Sequence, residues 1–288
     1  MGRTKATLIG FIAVLLWALL ALFTAASGSV PPFQLAAMTF SIATLVGIIG
    51  FLIKGSKLST LRQPWKVWLL GIVGLFGYHF FYFTALRNAP PVEAGLIAYL
   101  WPLLIVLFSA LLPGEKLGWH HILGAILGLA GAALIVTGGK GFTLQAEFSF
   151  GYATALICAL TWSGYSVLSR KFADVPSDVV TGFCAATAVL SFLSHMLLEQ
   201  TVWPQSGSEW LAIVGLGLGP VGLAFYVWDY GVKNGDIQVL GAASYAAPLL
   251  STFALIVTGY ADFTWAIAIA CVLITGGAVL AAKEMLFS

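Results

Sequence analysis

Ten apolar stretches, each long enough to cross a bilayer, constrain this chain more than any other feature of its sequence. They run approximately over residues 7–26, 34–53, 67–86, 94–112, 120–137, 150–169, 179–198, 210–232, 238–260 and 263–282. A hydrocarbon core about 30 Å thick needs about 20 such residues at a helical rise of about 1.5 Å each. The stretches are apolar on every face, whereas a membrane barrel alternates polar and apolar residues, so the reading is ten helices and no strands. The charged residues sit almost entirely in the short connections, which leave no room for a soluble catalytic or nucleotide-binding domain. Composition agrees. Of 288 residues 60% are hydrophobic and 8% charged, against about 25% charged in soluble domains, and the mean hydropathy is +0.99. The fold class is therefore an all-α integral membrane protein.

A net charge of +2, spread along the chain, offers nothing for nucleic acid to bind. Cys158, Cys184 and Cys271 lie inside apolar stretches with no paired or metal-ligand spacing, and read as small core residues. Arg3 and Lys5 before the first apolar run, and Ala25–Ala26–Ser27–Gly28 after it, have the outline of a signal peptide. Its removal would leave nine helices and break the repeat described below, so it is read as a retained span. Basic residues in short loops stay on the cytoplasmic side. Alternate loops put Arg3, Lys5, Lys54, Lys57, Arg62, Lys66, Lys116, Arg170, Lys171, Lys233 and Lys283 on one side, and only Arg87 and Lys140 on the other. The expectation is a multi-pass protein of the cytoplasmic (inner) membrane with both termini in the cytoplasm.

The second half of the chain repeats the first. Gly95, Tyr99, Pro102, Leu103, Leu104, Trp119, Gly131 and Ala132 recur 146 positions later as Gly241, Tyr245, Pro248, Leu249, Leu250, Trp265, Gly277 and Ala278. Earlier elements match at slightly different offsets, Trp17 with Trp162 and Phe81–Tyr82 with Phe225–Tyr226. Five helices per repeat is an odd number, so residues 1–139 and 140–288 form two inverted halves. Inverted halves suit a secondary transporter, because two states open to opposite sides can then have similar energies around one midplane site.

Candidate site residues follow from depth. Trp17 and Trp162, Tyr82 and Tyr226, and Tyr99 and Tyr245 bring hydroxyl and indole N–H groups into the membrane interior, where each needs a partner or a wet cavity. Tyr78 and His79 share the third helix with Tyr82, and His79 and Tyr82 are three apart on one face. His79 is the leading polar candidate, as a donor to a substrate carboxylate or a proton-responsive group; a hydrogen-bonded structural histidine competes with that reading. Pro102 and Pro248 interrupt the fourth and ninth helices and free carbonyls at Ala98 and Ser244. Trp101 and Ser244 lack counterparts in the other half. Pro220 stands in a glycine-rich stretch, Gly215 to Gly222, that bends easily. Gly124, Gly128 and Ala132, spaced by four, read as a close-packing face. His120, His121 and His195 read as interfacial, Asp229 with Lys233 as an exposed helix pair with a weaker reading as a proton-coupling group, and Arg87 with Glu93 as either an external gate or a solvated loop.

Thr137–Gly138–Gly139–Lys140–Gly141 lacks the first glycine and the final Ser or Thr of a phosphate-binding loop, so neither ATP hydrolysis nor an ATPase subunit is implied. No serine-hydrolase elbow or zinc motif is present, and no cofactor, metal or catalytic residue is expected. The ten helices in two halves, the tryptophan in each opening helix, the Tyr-x-x-Pro-Leu-Leu of residues 99–104 and 245–250, and Glu115 before the fifth helix together resemble the drug/metabolite transporter superfamily, EamA type. The likeness covers nearly the whole chain, and the aromatic interior is most similar to that family's aromatic amino acid exporters. Asp262, near the place of Glu115 in the second half, departs from the pattern. The resemblance implies alternating access and export of aromatic and other neutral amino acids or related small metabolites. Export of other metabolites or drugs, and an intramembrane enzyme acting on lipid, are the alternatives.

Overall fold

The structure, a computed structural model, describes residues 2–141, 143–257 and 262–287. Among these residues there are ten helical rods and no strand. Eight are long and apolar enough to span a membrane: α1 (Arg3–Ala26), α2 (Pro32–Lys54), α3 (Trp65–Asn88), α4 (Pro91–Ser109), α5 (Trp119–Thr137), α7 (Ser177–Leu198), α8 (Gly207–Asn234) and α9 (Ile237–Val257). The remaining two are α6 (Ser149–Ser169), of 21 residues, and α10 (Trp265–Ala281), of 17. Each expected stretch overlaps one rod. The last expected residues of the ninth stretch, 258–260, lie outside the described residues.

Helices of the two halves pack on one another as α1 with α8, α2 with α7, α3 with α6, α4 with α9 and α5 with α10, with further contact of α2 with α8 and α4 with α6. Every pair takes one helix from each half of the chain, and exchanging the halves maps the first five pairs onto themselves. Neither half could bury its faces alone. The register between halves is also sharper than the sequence suggested. α3 contains a π-helical turn at Val73–Gly77 and α8 one at Gly219–Leu223, followed by helices of equal length, Tyr78–Asn88 and Ala224–Asn234. The offset is thus 146 here too. Phe225 is the counterpart of His79, and Trp228, not Tyr226, the counterpart of Tyr82.

Between apolar helices in lipid, close approach supplies the attraction that water would otherwise drive. Gly10 of α1 and Gly231 of α8 meet backbone to backbone, a Cβ on Gly231 falling 2.4 Å from the Gly10 Cα. A Cβ on Gly124 of α5 would lie 2.5 Å from the Gly277 carbonyl of α10, and one on Gly128 would lie 2.5 Å from the Tyr245 ring. The Gly124, Gly128 and Ala132 face is therefore a packing seam. Because Gly10 presents backbone that cannot step aside, Gly231→Ala should lower stability by about 1–3 kcal/mol. Gly164→Ala, with nothing within 4 Å of the added Cβ, should leave the melting temperature of the purified protein unchanged, which provides the comparison.

Candidate functional site

The helices are interrupted where the aromatic residues gather. α1 breaks after Trp17, α4 at Tyr99–Leu100, α9 at Ser244–Tyr245, and α3 and α8 at their π turns. Pro102, the second residue of the continuation Trp101–Ser109, and Pro248, the third of Ala246–Val257, lack an N–H and crowd the preceding turn. A π turn inserts a residue into the hydrogen-bond ladder and leaves a carbonyl to be satisfied elsewhere. In this protein side chains satisfy them. The Trp17 indole Nε1–H donates to the Pro220 carbonyl at 3.1 Å, and the Leu103 N–H, loosened by the α4 break, donates to the Tyr245 hydroxyl at 3.2 Å.

Four tryptophans meet at the centre, Trp17 from α1, Trp101 from α4, Trp162 from α6 and Trp228 from α8. All six pairs of ring centroids fall between 5.0 and 6.4 Å, mostly edge to face, the arrangement that aromatic quadrupoles favour. Trp228 is completely buried and its Nε1–H donates to Ser166 Oγ at 3.1 Å. Phe225 lies against Trp17 and Trp162 and stacks on Phe40. Trp101 and Trp162 make no indole hydrogen bond to a described residue.

From this cluster a wall of α3 leads toward Asn88. Tyr78 contacts Trp162 at 5.4 Å and lies parallel to Tyr82 at 6.1 Å, and Tyr99 approaches them from α4. The three rings are half-buried, and their hydroxyls have no hydrogen-bond partner among the described residues. His79 sits edge-on to Phe40 at 5.0 Å. Its Nδ1 is 2.7 Å from the Leu75 carbonyl, inside the π turn. A carbonyl only accepts, so Nδ1 carries a proton; in the neutral ring Nε2 is then the acceptor. His79 and its counterpart Phe225 lie 6.2 Å apart, which places the pseudo-two-fold axis between them. The cluster thus brings together aromatic faces, three phenols and two indole N–H groups without a hydrogen-bond partner among the described residues, and one imidazole. Such a set suits a small amphipathic molecule with both donors and acceptors.

Of the residues expected in the site, Trp17, Tyr78, His79, Tyr82, Tyr99, Trp101 and Trp162 come together. Tyr226, Tyr245 and Ser244 do not join them. The Tyr226 hydroxyl donates to the Ala43 carbonyl and to Thr181 Oγ1 between α2 and α7. Tyr245 is fully buried as the cap of Leu103, and Ser244 donates to its own Leu240 carbonyl at 2.7 Å. Pro102 and Pro248 sit at the broken helices, and Pro220 lies within the π turn of α8. Trp228 was missed because its counterpart is Tyr82, visible only when the 146-residue offset is held through α3 and α8.

Both ends of the bundle are held by buried acids. At the end with the termini, Glu115 joins Arg3 at 2.8 Å and Arg170 at 2.7 Å, while Arg3 also reaches Asp236 at 3.2 Å. Arg170 further donates to the Val232 and Gly235 carbonyls. Helices α1, α6 and α8 and the two turns α4–α5 and α8–α9 are tied there. At the other end Glu199 accepts from the Phe33 and Gln34 N–H groups, from Arg87 and from His195. Arg87 therefore pairs with Glu199 and not with Glu93. His195, in the last turn of α7, is buried between Glu199 and Thr201, and His120 and His121 are buried at the start of α5. The expected exposed pair of Asp229 and Lys233 is also overturned, since their side chains are 1% and 4% exposed and packed between helices.

Comparison with known proteins gives concordant matches. The sequence profile of the EamA-like transporter family matches residues 4–137 and again 149–283. The aromatic amino acid exporter YddG of Ancylobacter novellus is 60% identical over 284 residues, covering 98% of each chain. The exporter of the same name from Escherichia coli strain K12 is 27% identical over 294 residues, 97% of each. A crystal structure 59% identical in sequence superposes with a TM-score of 0.94, covering 98% of this chain and 99% of the other.

The split between capping and free tyrosines is testable without substrate. Tyr245→Phe strips a buried N–H of its partner and should cost about 1–3 kcal/mol in thermal or denaturant unfolding. Tyr99→Phe, its counterpart, should unfold like the parent.

Proposed function

Because the chain belongs to the EamA-like transporter family, we propose that this multi-pass membrane transporter exports aromatic and other neutral amino acids by alternating access. The observation that carries the reading is the central aromatic cluster, where tyrosine hydroxyls without a described partner and the His79 imidazole stand beside four tryptophans. An amino acid zwitterion has a use for each group. Its carboxylate takes hydrogen bonds from the phenols of Tyr78, Tyr82 and Tyr99 and from indole N–H groups, and its ammonium donates to His79 Nε2. Aromatic faces attract the same ammonium and give apolar side chains a wall without directional demand, which admits neutral as well as aromatic substrates. The names of the YddG relatives support this substrate class.

The two halves, residues 1–139 and 140–288, act as the inverted units of the cycle, with both termini in the cytoplasm. On that reading the Arg3–Glu115–Arg170–Asp236 cluster closes the cytoplasmic end, and must open for a substrate to enter from inside. The apolar girdle formed by residues such as Leu45, Ile49, Leu52, Val189, Phe192 and Val272 faces lipid. An alkaline phosphatase, active only outside the cytoplasm, should be inactive when fused after Ser288 and active when inserted at Lys140; the reverse pattern would invert the topology.

Purified protein in liposomes should speed the efflux of labelled phenylalanine and tryptophan well above that of empty vesicles. If neither these nor neutral aliphatic amino acids move faster, the substrate belongs to another class of amphipathic metabolite. Within an active preparation, His79→Asn or Tyr99→Phe should weaken half-saturation by about tenfold, the loss of one hydrogen bond to a charged group, with unfolding temperature retained.

A further inference from the structure

Asp229 lies inside α8, whereas Glu93, Asp178 and Glu209 stand in the first turns of their elements, where an acid complements the helix end. Its Oδ2 accepts from Ser177 Oγ at 2.6 Å and pairs with Lys233 Nζ at 2.8 Å, and Lys233 donates onward to the Val175 carbonyl at 2.9 Å. Both donors share one oxygen, which leaves Oδ1 open to a proton. A cavity of about 10 Å³ borders the carboxylate, room for one water molecule. The groups facing Asp229 are Lys233 on its own helix, Tyr165 and Ser169 from α6, Ser177 from the start of α7, and Cys184 of α7 behind Tyr165. α3 contributes only Val67, Leu70 and Gly71, and Arg170 is engaged with Glu115 and two carbonyls.

A buried ion pair is a poor way to stabilise a fold, because desolvation consumes most of what attraction supplies. This protein holds its own comparison. The counterpart of Asp229 in the first half is Phe83, so the symmetric scaffold fills the equivalent place with an apolar ring. The charge has another purpose, and its neighbours indicate which. Trp228, the adjacent residue, packs on Trp17 at 5.0 Å, and Tyr165 directs its buried, unpartnered hydroxyl toward the carboxylate while its ring lies 5.2 Å from Trp162. The carboxylate is thereby joined to two tryptophans of the central cluster.

We propose that Asp229 is a proton-binding site that couples export to inward proton movement, a step that rests on the export reading above. A proton from the outer side binds the carboxylate, Lys233 loses its anionic partner, and the tie from α8 to the segment before α7 loosens, which lets access change. The proton leaves to the cytoplasm as the next substrate loads among the tryptophans. No bond other than O–H forms or breaks, and substrate and proton cross in opposite directions.

The test uses the full-length protein in liposomes with labelled phenylalanine, the potential clamped by potassium and valinomycin. With the lumen about one pH unit more acidic than the medium, the parent should concentrate phenylalanine about tenfold inside, the free energy of one proton per substrate. Asp229→Asn should let phenylalanine equilibrate across the membrane without accumulating. Since that change strands Lys233, the double variant Asp229→Asn/Lys233→Met, which removes both charges, should behave the same way. Equilibration without accumulation by the parent, or full accumulation by a folded variant, overturns the proton site and leaves export standing. A parent that fails to speed equilibration at all overturns export itself.

Discussion

A backbone group that leaves the helical ladder inside a bilayer finds no water to replace its lost partner, and this chain breaks five of its ten helices near the membrane centre. The consequences organise the whole interior. Leu75, in the π turn of α3, has its carbonyl taken by His79, Pro220, in that of α8, by Trp17, and the loosened Leu103 N–H of α4 is taken by Tyr245. Each repair fixes the side chain that makes it. His79 has its Nδ1 proton fixed, Trp17 is aimed at α8, and Tyr245 is held against α4. The irregular backbone and the aromatic cluster are therefore one construction, with the aromatic residues sealing the breaks and packing against one another.

The same scaffold is used twice with different chemistry. Five helix pairs, each joining one half to the other, make the frame symmetric. Departures from symmetry set the chemistry of the two halves apart. Tyr245 caps a backbone group while Tyr99 keeps its hydroxyl free; Phe225 packs where His79 offers a nitrogen; Phe83 fills the place that Asp229 charges. A transporter with two equivalent halves gains two access states of similar energy. On the export reading proposed above, selectivity and coupling are assigned to residues that only one half possesses.

The ends of the bundle obey a related economy. Glu115 and Glu199, with side chains 6% and 2% exposed, each gather several donors at one carboxylate, Glu115 by arginines and Glu199 by helix N–H groups together with Arg87 and His195. A carboxylate with its lone pairs filled is stable at such depth, and a cluster of that kind releases cooperatively when one contact is lost.

What the sequence determined by itself was set by short-range rules. Apolar length located ten helices to within a few residues, loop charges suggested their direction, and the recurrence of Tyr-x-x-Pro-Leu-Leu exposed the duplication. Seven of the ten residues expected in the site come together for the same reason, since depth along a helix is readable from position. Tertiary structure decided everything that depended on which face turns where. Tyr226, Tyr245 and Ser244 have the depth of site residues, but the first two point to neighbouring helices and Ser244 bonds back to its own, and Trp228 joins the aromatic cluster unannounced because the two π turns fix the register of α3 on α8. Asp229 and Lys233 have the spacing of a solvated pair, yet α6 and α7 close over them. Helical periodicity is a property of the local chain; burial belongs to the helices that pack against it, and these come from the opposite half.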